Sequence, residues 1–491
     1  MRVRINAIAL LILSSAAMLP AVEPPKPFGP TPSPGQLRWH EMEFYGFIHF
    51  TVDTFTGEEW GFGNESEAVF NPTDFDADQI VKSFKEGGMK GVILTAKHHD
   101  GFCLWPTKTT EHSLKRSPWK GGKGDVVKEI AEACKRQDVK FGVYLSPWDR
   151  NRADYGKPGY VKCFHDQLRE LLTGYGPIFE VWFDGANGCD GRGGDGWYGG
   201  TKKRRRIDPA TYYRWPEAFK MIRDLQPDAH IHSDIGPDSR WGGNESGVAG
   251  DACWATVLKK NLVFPALDER LDLHGDRPGD LWMPAEMPYS IRSPKWFYHP
   301  GEDATVRSPQ QLFETYRQTV GHGAALLLNL PPDRRGRIAD ADARSVREFH
   351  RILESTFAHN LAAGASLTAN NTRGNDPRFA PGNAIGGKRD LYWATDDGVT
   401  TPELVLSWDK PVTFNLVSLR EYLPLGQRID GVALDFWEGN KWQQFAVASS
   451  IGNHRLILTA VKTTAKVRLR VTKAAACPAI AELGLYWHQE K

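Results

Sequence analysis

Carboxylates set among aromatic rings are the residues of this chain best suited to chemistry. Asp184 ends the run Ile178, Phe179, Glu180, Val181, Trp182, Phe183 and is followed by Gly185. Other acids adjoin aromatic or basic residues at Glu58-Glu59-Trp60, between Arg240-Trp241 and Glu245, and at Glu286 after Pro284 and Ala285. An acid at the end of an apolar strand is costly unless hydrogen bonds or a cation serve it, so it is either a satisfied structural group or a reacting one. Two carboxylates between aromatic walls are the minimum for breaking a glycosidic bond. One attacks or activates water while the other protonates the departing oxygen. Metal-assisted hydrolysis is the rival chemistry, but the adjacent pair His98-His99 has neither the HxH nor the HExxH spacing. Neighbours on an extended chain point to opposite faces, which predicts one ring in the core and one exposed unless a bend turns them. As sugar ligands, both imidazoles would donate to or accept from hydroxyls.

Such groups need a scaffold that gathers strand ends. Short β-type runs at 44–50, 91–97, 140–146, 229–234 and 323–330 alternate with helical patterns at 76–86, 125–137, 160–173, 215–225 and 309–320. That alternation predicts a parallel sheet, and at this length a closed (β/α)8 barrel; a doubly wound open sheet is the alternative. Against the open sheet, no GxGxxG or GxxxxGK[ST] loop follows a strand. His49, His98, His99, Trp148, Asp149 and Asp184 fall at carboxyl-terminal strand ends, where barrels assemble their sites. Past residue 357 the period becomes two, with Val432, Leu434 and Phe436, then Val467, Leu469 and Val471, and a Gly439-Asn440 turn signal. The division expected is a signal peptide over 1–21, a Pro-rich leader over 22–35, the barrel over 36–360 and a β-sandwich over 361–491.

Composition agrees with a compact enzyme. At 491 residues and 41% hydrophobic content the chain can bury a large core, and a formal charge of +1 gives no reason to expect nucleic acid. Seventeen Trp exceed ordinary need, and stacking on sugar faces is one use for them. Arg2 and Arg4 precede an apolar run over 7–13 and small residues to Ala21, which reads as an export signal, too short for a membrane span. Periplasmic or secreted placement follows. Six cysteines include no CxxC pair; export permits disulfides, but their pairing is not legible. No cofactor motif is present.

Several segments together carry a family resemblance: GFIHF (46–50), EEWG (58–61), KHHDGFCLW (97–105), GVYLSPWD (142–149), EVWFDG (180–185), RWGGNESG (240–247), AEMPYSIR (285–292) and WFYHP (296–300). Residues 44–357 resemble the catalytic barrel of α-L-fucosidases, glycoside hydrolase family 29. The remainder is similar to the galactose-binding-like sandwich that often follows it. The resemblance implies an exo-acting retaining enzyme in which Asp184 attacks the anomeric carbon. It places His49, Glu59, Trp60, His98, His99, Tyr144 and Trp182 around fucose, with Trp148 and Trp296 as walls and Arg240 biasing the site. For the acid/base it implies Glu245, in the WxGNE segment, ahead of Glu286, whose alternative is an acid orienting Arg292 or a His. No metal or cofactor is implied, and the partner is a fucosylated oligosaccharide or glycoconjugate.

Within the family, the WxGNE segment and the sandwich resemble the branch acting on α-1,3 and α-1,4 linkages. A broad-specificity fucosidase, cleaving α-1,2 or aryl fucosides, and a non-catalytic carbohydrate-binding barrel are the alternatives. The Gly-rich loop over 185–206, ending in the basic run 202–206, reads as a solvated insertion or a lid on the leaving group.

Overall fold

Period-two alternation sorts the side chains of each barrel strand into two sets, and the computed structural model, which describes residues 22–188, 206–234, 236–262 and 273–489, shows where each set goes. The strands are β1 (Phe44–Ile48), β2 (Gly91–Lys97), β3 (Lys140–Leu145), β4 (Glu180–Trp182), β5 (His230–His232), β6 (Arg240–Trp241), β7 (Ala285–Ser290) and β8 (Ala325–Asn329). All pairs are parallel, in the order β5-β4-β3-β2-β1-β8-β7-β6. A parallel bridge between His232 and Ser239 joins β5 to the residues before β6, so the sheet is a nearly closed barrel. Tyr45, Phe47, Ile93, Tyr144, Trp182 and Leu327 pack together in one cluster. Their neighbours Phe44, Ile48, Val92, Val143, Val181, Phe183 and Leu328 join the larger core shared with the helices.

Helix α1 (Pro34–His40) was not expected, while α2 (Ala77–Glu86), α3 (Val126–Gln137), α4 (Pro158–Gly174), α5 (Trp215–Leu225), α6 (Pro309–Thr319) and α7 (Asp340–Phe357) occupy the spans their periodicity predicts. Asp76 and Asp125 cap α2 and α3, each accepting the backbone N–H three residues on at 2.9 Å. Gly46 is required by packing: a Cβ there would stand 2.2 Å from Cδ1 of Phe84, so α2 lies directly on β1. Two strands were not expected. β6 has only two residues, and β7 carries Glu286 and Pro288, so neither resembles an apolar run. Among the described residues of 233–239 no helix separates β5 from β6, a local departure from strict alternation.

The second unit is antiparallel. Its strands are β9 (Ser366–Ala369), β10 (Trp393–Ala394), β11 (Glu403–Glu421), β12 (Ile429–Glu438), β13 (Lys441–Ala448), β14 (Arg455–Ala474) and β15 (Ala479–Tyr486), ordered β10-β15-β11-β14-β12-β13 with β9 on β11. The long strands β11 and β14 shift register between Ser407 and Val412 and again between Phe414 and Leu416, irregularities of the kind that bend a strand pair. Gly439 (φ 55°) and Asn440 (φ 66°) close the β12–β13 hairpin in the left-handed conformation such two-residue turns demand. The unit has its own core around Trp393, Phe414, Leu434 and Leu469. It is joined to the barrel through buried charge: Nη1 of Arg420 lies 2.6 Å from Oε1 of Glu43, and its Nε lies 2.8 Å from Glu482.

The Pro-rich stretch is not a free linker, because the N–H of Phe28 donates to the carbonyl of Leu425 at 3.0 Å and Arg373 donates to that of Glu23 at 2.6 Å. Cys103, Cys134, Cys163, Cys253 and Cys477 are free and buried; Cys189, the signal-peptide expectation and most of the 185–206 loop lie outside the described residues. No described helix is long and apolar enough to cross a membrane.

Candidate active site

Glu180, Trp182 and Asp184 follow one another at every second position, so β4 sends all three to the same side. Asp184 lies just past the strand, with a quarter (24%) of its side chain accessible. Its Oδ2 accepts from the Tyr144 hydroxyl at 3.1 Å, its Oδ1 from the Ala186 N–H at 2.7 Å, and Nε2 of His99 stands 3.9 Å from Oδ2. Burial pushes its pKa up from 3.8 to about 6; the Ala186 amide, His98 and Tyr144 oppose the rise, and the Glu245 carboxylate adds to it. Glu245 is thus near enough for its charge to be felt, although far from Asp184 in sequence.

The histidines are held as neutral rings. Ser146 Oγ donates to the Trp148 carbonyl at 2.8 Å, so at 2.7 Å it accepts from Nδ1 of His99, leaving Nε2 as an acceptor turned towards Asp184. His49 is fixed likewise. Asn329 uses Nδ2 on Ser290 and on the Trp296 carbonyl, so its Oδ1 accepts from Nδ1 of His49 at 2.9 Å. Burial above all, and then the nearness of His98, hold the pKa of His49 and of His99 well below the usual value. His98 and His99 are both buried, with ring centroids 4.2 Å apart, which corrects the expectation of one exposed ring. The chain bends at 98–101, where Gly101 takes φ 84°, and turns both rings to one side.

A second layer ties distant segments together. Glu59 accepts the Trp296 N–H at 2.7 Å and pairs with His299 at 2.5 Å, so the EEWG and WFYHP segments are one unit. Trp60 and Trp148 meet edge to face at 5.6 Å, and both pack on His99, Trp148 being wholly buried behind it. The Trp296 ring lies 5.1 Å from that of His49, and its Nε1 donates to Oε2 of Glu245 at 3.0 Å. Glu245 itself is exposed on a loop shaped by its neighbours. Asn244 Oδ1 accepts from the Ser246 N–H and hydroxyl, while Gly243 (φ 84°) and Gly247 (φ 71°) make the flanking turns.

Two sequence expectations are placed elsewhere. Arg240 is buried and donates to the carbonyls of Met283 and of Trp254 (3.1 Å). Glu286 is fully buried below Trp182: it accepts the indole N–H of Trp182 at 2.7 Å and the Tyr45 hydroxyl. It does not orient Arg292, which pairs with Asp303 and Asp342, each at 2.8 Å; His232 is the histidine near it, at 3.7 Å. Sequence reasoning missed Glu180 and Tyr45. Burial above all, and then the Glu286 carboxylate, raise the Glu180 pKa well above its usual range. Both residues share the inward register of Trp182 and Phe47, a signal available from alternation alone.

The family model for alpha-L-fucosidase matches residues 29–355. Alpha-L-fucosidase 1 of Arabidopsis thaliana is 39% identical over 94% of this chain and 88% of its own. A glycoside hydrolase 29 family member from an unknown rumen bacterium is 42% identical, with a TM-score of 0.84 over 95% of this chain and 79% of its own. A Ruminococcus gnavus GH29 fucosidase solved in complex with fucose is 32% identical, with a TM-score of 0.85 over 95% of this chain and 97% of its own. A matching family model over most of the chain, and relatives of this identity along nearly its whole length, place it as a glycoside hydrolase belonging to the alpha-L-fucosidase family, GH29.

Proposed function

We propose that the chain releases terminal α-L-fucosyl residues from oligosaccharides or glycoconjugates by double displacement, with Asp184 as nucleophile and Glu245 as acid/base. The observation that carries this is the pairing of a strand-end carboxyl, fixed by Tyr144 and Ala186, with a loop carboxylate held at the same pocket by Trp296. A proton donor must reach the departing oxygen. Glu245 is exposed at the pocket, whereas Glu286 lies beneath Trp182 with its oxygens already accepting hydrogen bonds. The fucose complex of the R. gnavus relative supports fucose as the glycone. His49, His98, His99, Glu59 and Trp60 would contact its hydroxyls, with Trp296 as a wall.

Leaving-group dependence tests the assignment. Glu245→Gln slows fucosides with poor leaving groups by about 10² to 10⁴, the usual worth of general acid catalysis, and activated aryl fucosides far less. Glu286→Gln slows both alike. Selective loss in Glu286→Gln would transfer the role, and no selectivity in either variant would demand another acid. First-formed α-L-fucose, seen by NMR, is the expected product; β-fucose would mean inversion.

The WxGNE segment supports α-1,3 and α-1,4 linkages as the preferred ones, and faster turnover of α-1,2 or aryl fucosides across a linkage panel would overturn that preference. Export rests on Arg2, Arg4 and the apolar run; a product retained in the cytoplasm with residues 1–21 uncleaved would contradict it.

A further inference from the structure

Next to the sugar-facing histidines lies a buried acid, Asp53, to which no described N–H or alcohol hydroxyl donates and whose nearest acidic neighbour is Asp100. Asp53, in the short helical turn Asp53–Thr56, is wholly inaccessible, and neither of its carboxylate oxygens has a hydrogen-bond partner. Nδ1 of His98, also buried and without a partner, faces it at 3.7 Å. Asp100 completes the group, and its ligand atom and those of Asp53 and His98 lie within 4.8 Å of one another. No described Lys or Arg pairs with either aspartate. A buried carboxylate without donor or counter-ion is among the costliest arrangements a fold can hold.

The surroundings suit a cation. Asp100 accepts from the Thr51 hydroxyl at 2.9 Å and from the Phe102 N–H at 2.5 Å, the kind of outer partners that aim a ligating carboxylate. Gly61 (φ 56°) leaves space beside the group: a Cβ there would stand 2.6 Å from Asp53 Oδ1 and 3.2 Å from Oε1 of Glu65, a further acid. The barrel's other acid cluster, Glu180, His232 and Glu286, differs, because Trp39, Tyr45 and Trp182 all donate into it.

We propose that Asp53, Asp100 and His98 bind one divalent first-row cation, Zn2+ foremost. Two carboxylates and an imidazole form a hard-to-borderline donor set of the kind zinc accepts, and small side-chain rotations would bring three atoms now within 4.8 Å to about 2 Å from one ion. The cation neutralises both acids and takes Nδ1 of His98, leaving Nε2 as that ring's hydrogen-bonding atom. The site is structural, holding the 98–101 bend on which His98 and His99 stand.

The test titrates EDTA-dialysed full-length protein with ZnCl2, and separately with MnCl2 and CaCl2, by calorimetry, with metal content measured by mass spectrometry after dialysis. Wild type takes up one equivalent of zinc and its thermal midpoint rises with the metal. Asp53→Asn, whose amide can donate to Asp100, weakens binding at least about 100-fold, the upper end of what losing a supporting partner costs, and loses the midpoint rise. His98→Gln does the same, so instability of one variant leaves the other to decide. Equal zinc binding in wild type and both variants, or no binding of any of the three ions by wild type, overturns the proposal. A metal-free Asp53→Asn more stable than metal-free wild type, with no uptake by either, identifies a proton shared between Asp53 and Asp100 instead. Neither readout involves substrate, so the outcome is independent of the roles proposed for Asp184 and Glu245.

Discussion

Replacing Asp184 by Asn abolishes the proposed nucleophile, and the same change stabilises the fold in a defined pH window. The carboxyl has a pKa near 6 in the folded protein against an ordinary 3.8. At about 1.4 kcal/mol per pH unit, that difference corresponds to about 3 kcal/mol. The folded value is the raised one, so the neutral acid favours the folded state below pH 3.8, and this contribution is lost as the pH rises through 6. Asn imitates the neutral acid: its oxygen accepts from Ala186 and its amide donates to the Tyr144 oxygen. The variant therefore matches wild type near pH 3.5 and exceeds it by up to about 3 kcal/mol above pH 6.5, less whatever solvent recovers at the 24% accessible side chain. For a barrel of this size that is roughly 4 °C in thermal midpoint. Paired melts of wild type and Asp184→Asn at several pH values between 3.5 and 8 read it directly. A midpoint difference that stays constant across this range, or grows as the pH falls, would falsify the account of a desolvated carboxylate. In wild type, kcat/KM should decline below pH 6 as Asp184 takes up its proton.

Two further substitutions probe the frame. Arg420→Ala leaves Glu43 and Glu482 buried with less positive charge and lowers stability by about 3 kcal/mol, the low end for a broken buried pair because Arg389 still lies 2.5 Å from Glu43; an unchanged thermal midpoint would show the pair to be idle. Gly46→Ala drives a methyl to 2.2 Å from Phe84 and costs about 1 to 3 kcal/mol, and pairing it with Phe84→Leu should cost less than the two singly, as chemical denaturation of the double variant would register.

Much of the barrel is legible because burial on both faces leaves only apolar runs at β2, β3 and β8, while period 3.6 marks the helices around them. The strands that escaped notice show where that signal ends. β6 is too short to have a period, and in β7 the inward positions carry Glu286 and Pro288, residues chosen by the hydrogen-bonding floor under Trp182 rather than by hydrophobicity. The misjudged His98-His99 pair has a different cause: alternation describes an extended chain, and β2 has ended by residue 98. Arg240 was read by its motif neighbours, but side-chain direction is a property of register. Arg240 pairs with Ala285 at the barrel edge, and its guanidinium donates to the carbonyls of Met283 and Trp254.

The unequal legibility of the two proposed carboxylates follows from what each must do. A nucleophile has to be held about 3 to 3.5 Å from the anomeric carbon, within about half an ångström of its productive position, so it belongs at the end of a strand whose register fixes its neighbours, and Asp184 has hydrogen bonds from Tyr144 on the adjacent strand and from Ala186 two residues on. Strand pattern therefore reveals it. An acid/base has to meet a leaving oxygen whose position changes with the aglycone, which suits a loop between positive-φ glycines and a single tether, here Trp296. Loops carry no period. In the sequence Glu245 is marked by motif resemblance alone, and its setting comes from the segments that converge on it: Glu59 fixes the Trp296 backbone, Asn329 its carbonyl, and the indole N–H in turn holds Glu245. On this reading the acid's reach is set by Trp296, and specificity for the leaving group resides in the loops around that ring rather than in the barrel that carries the nucleophile.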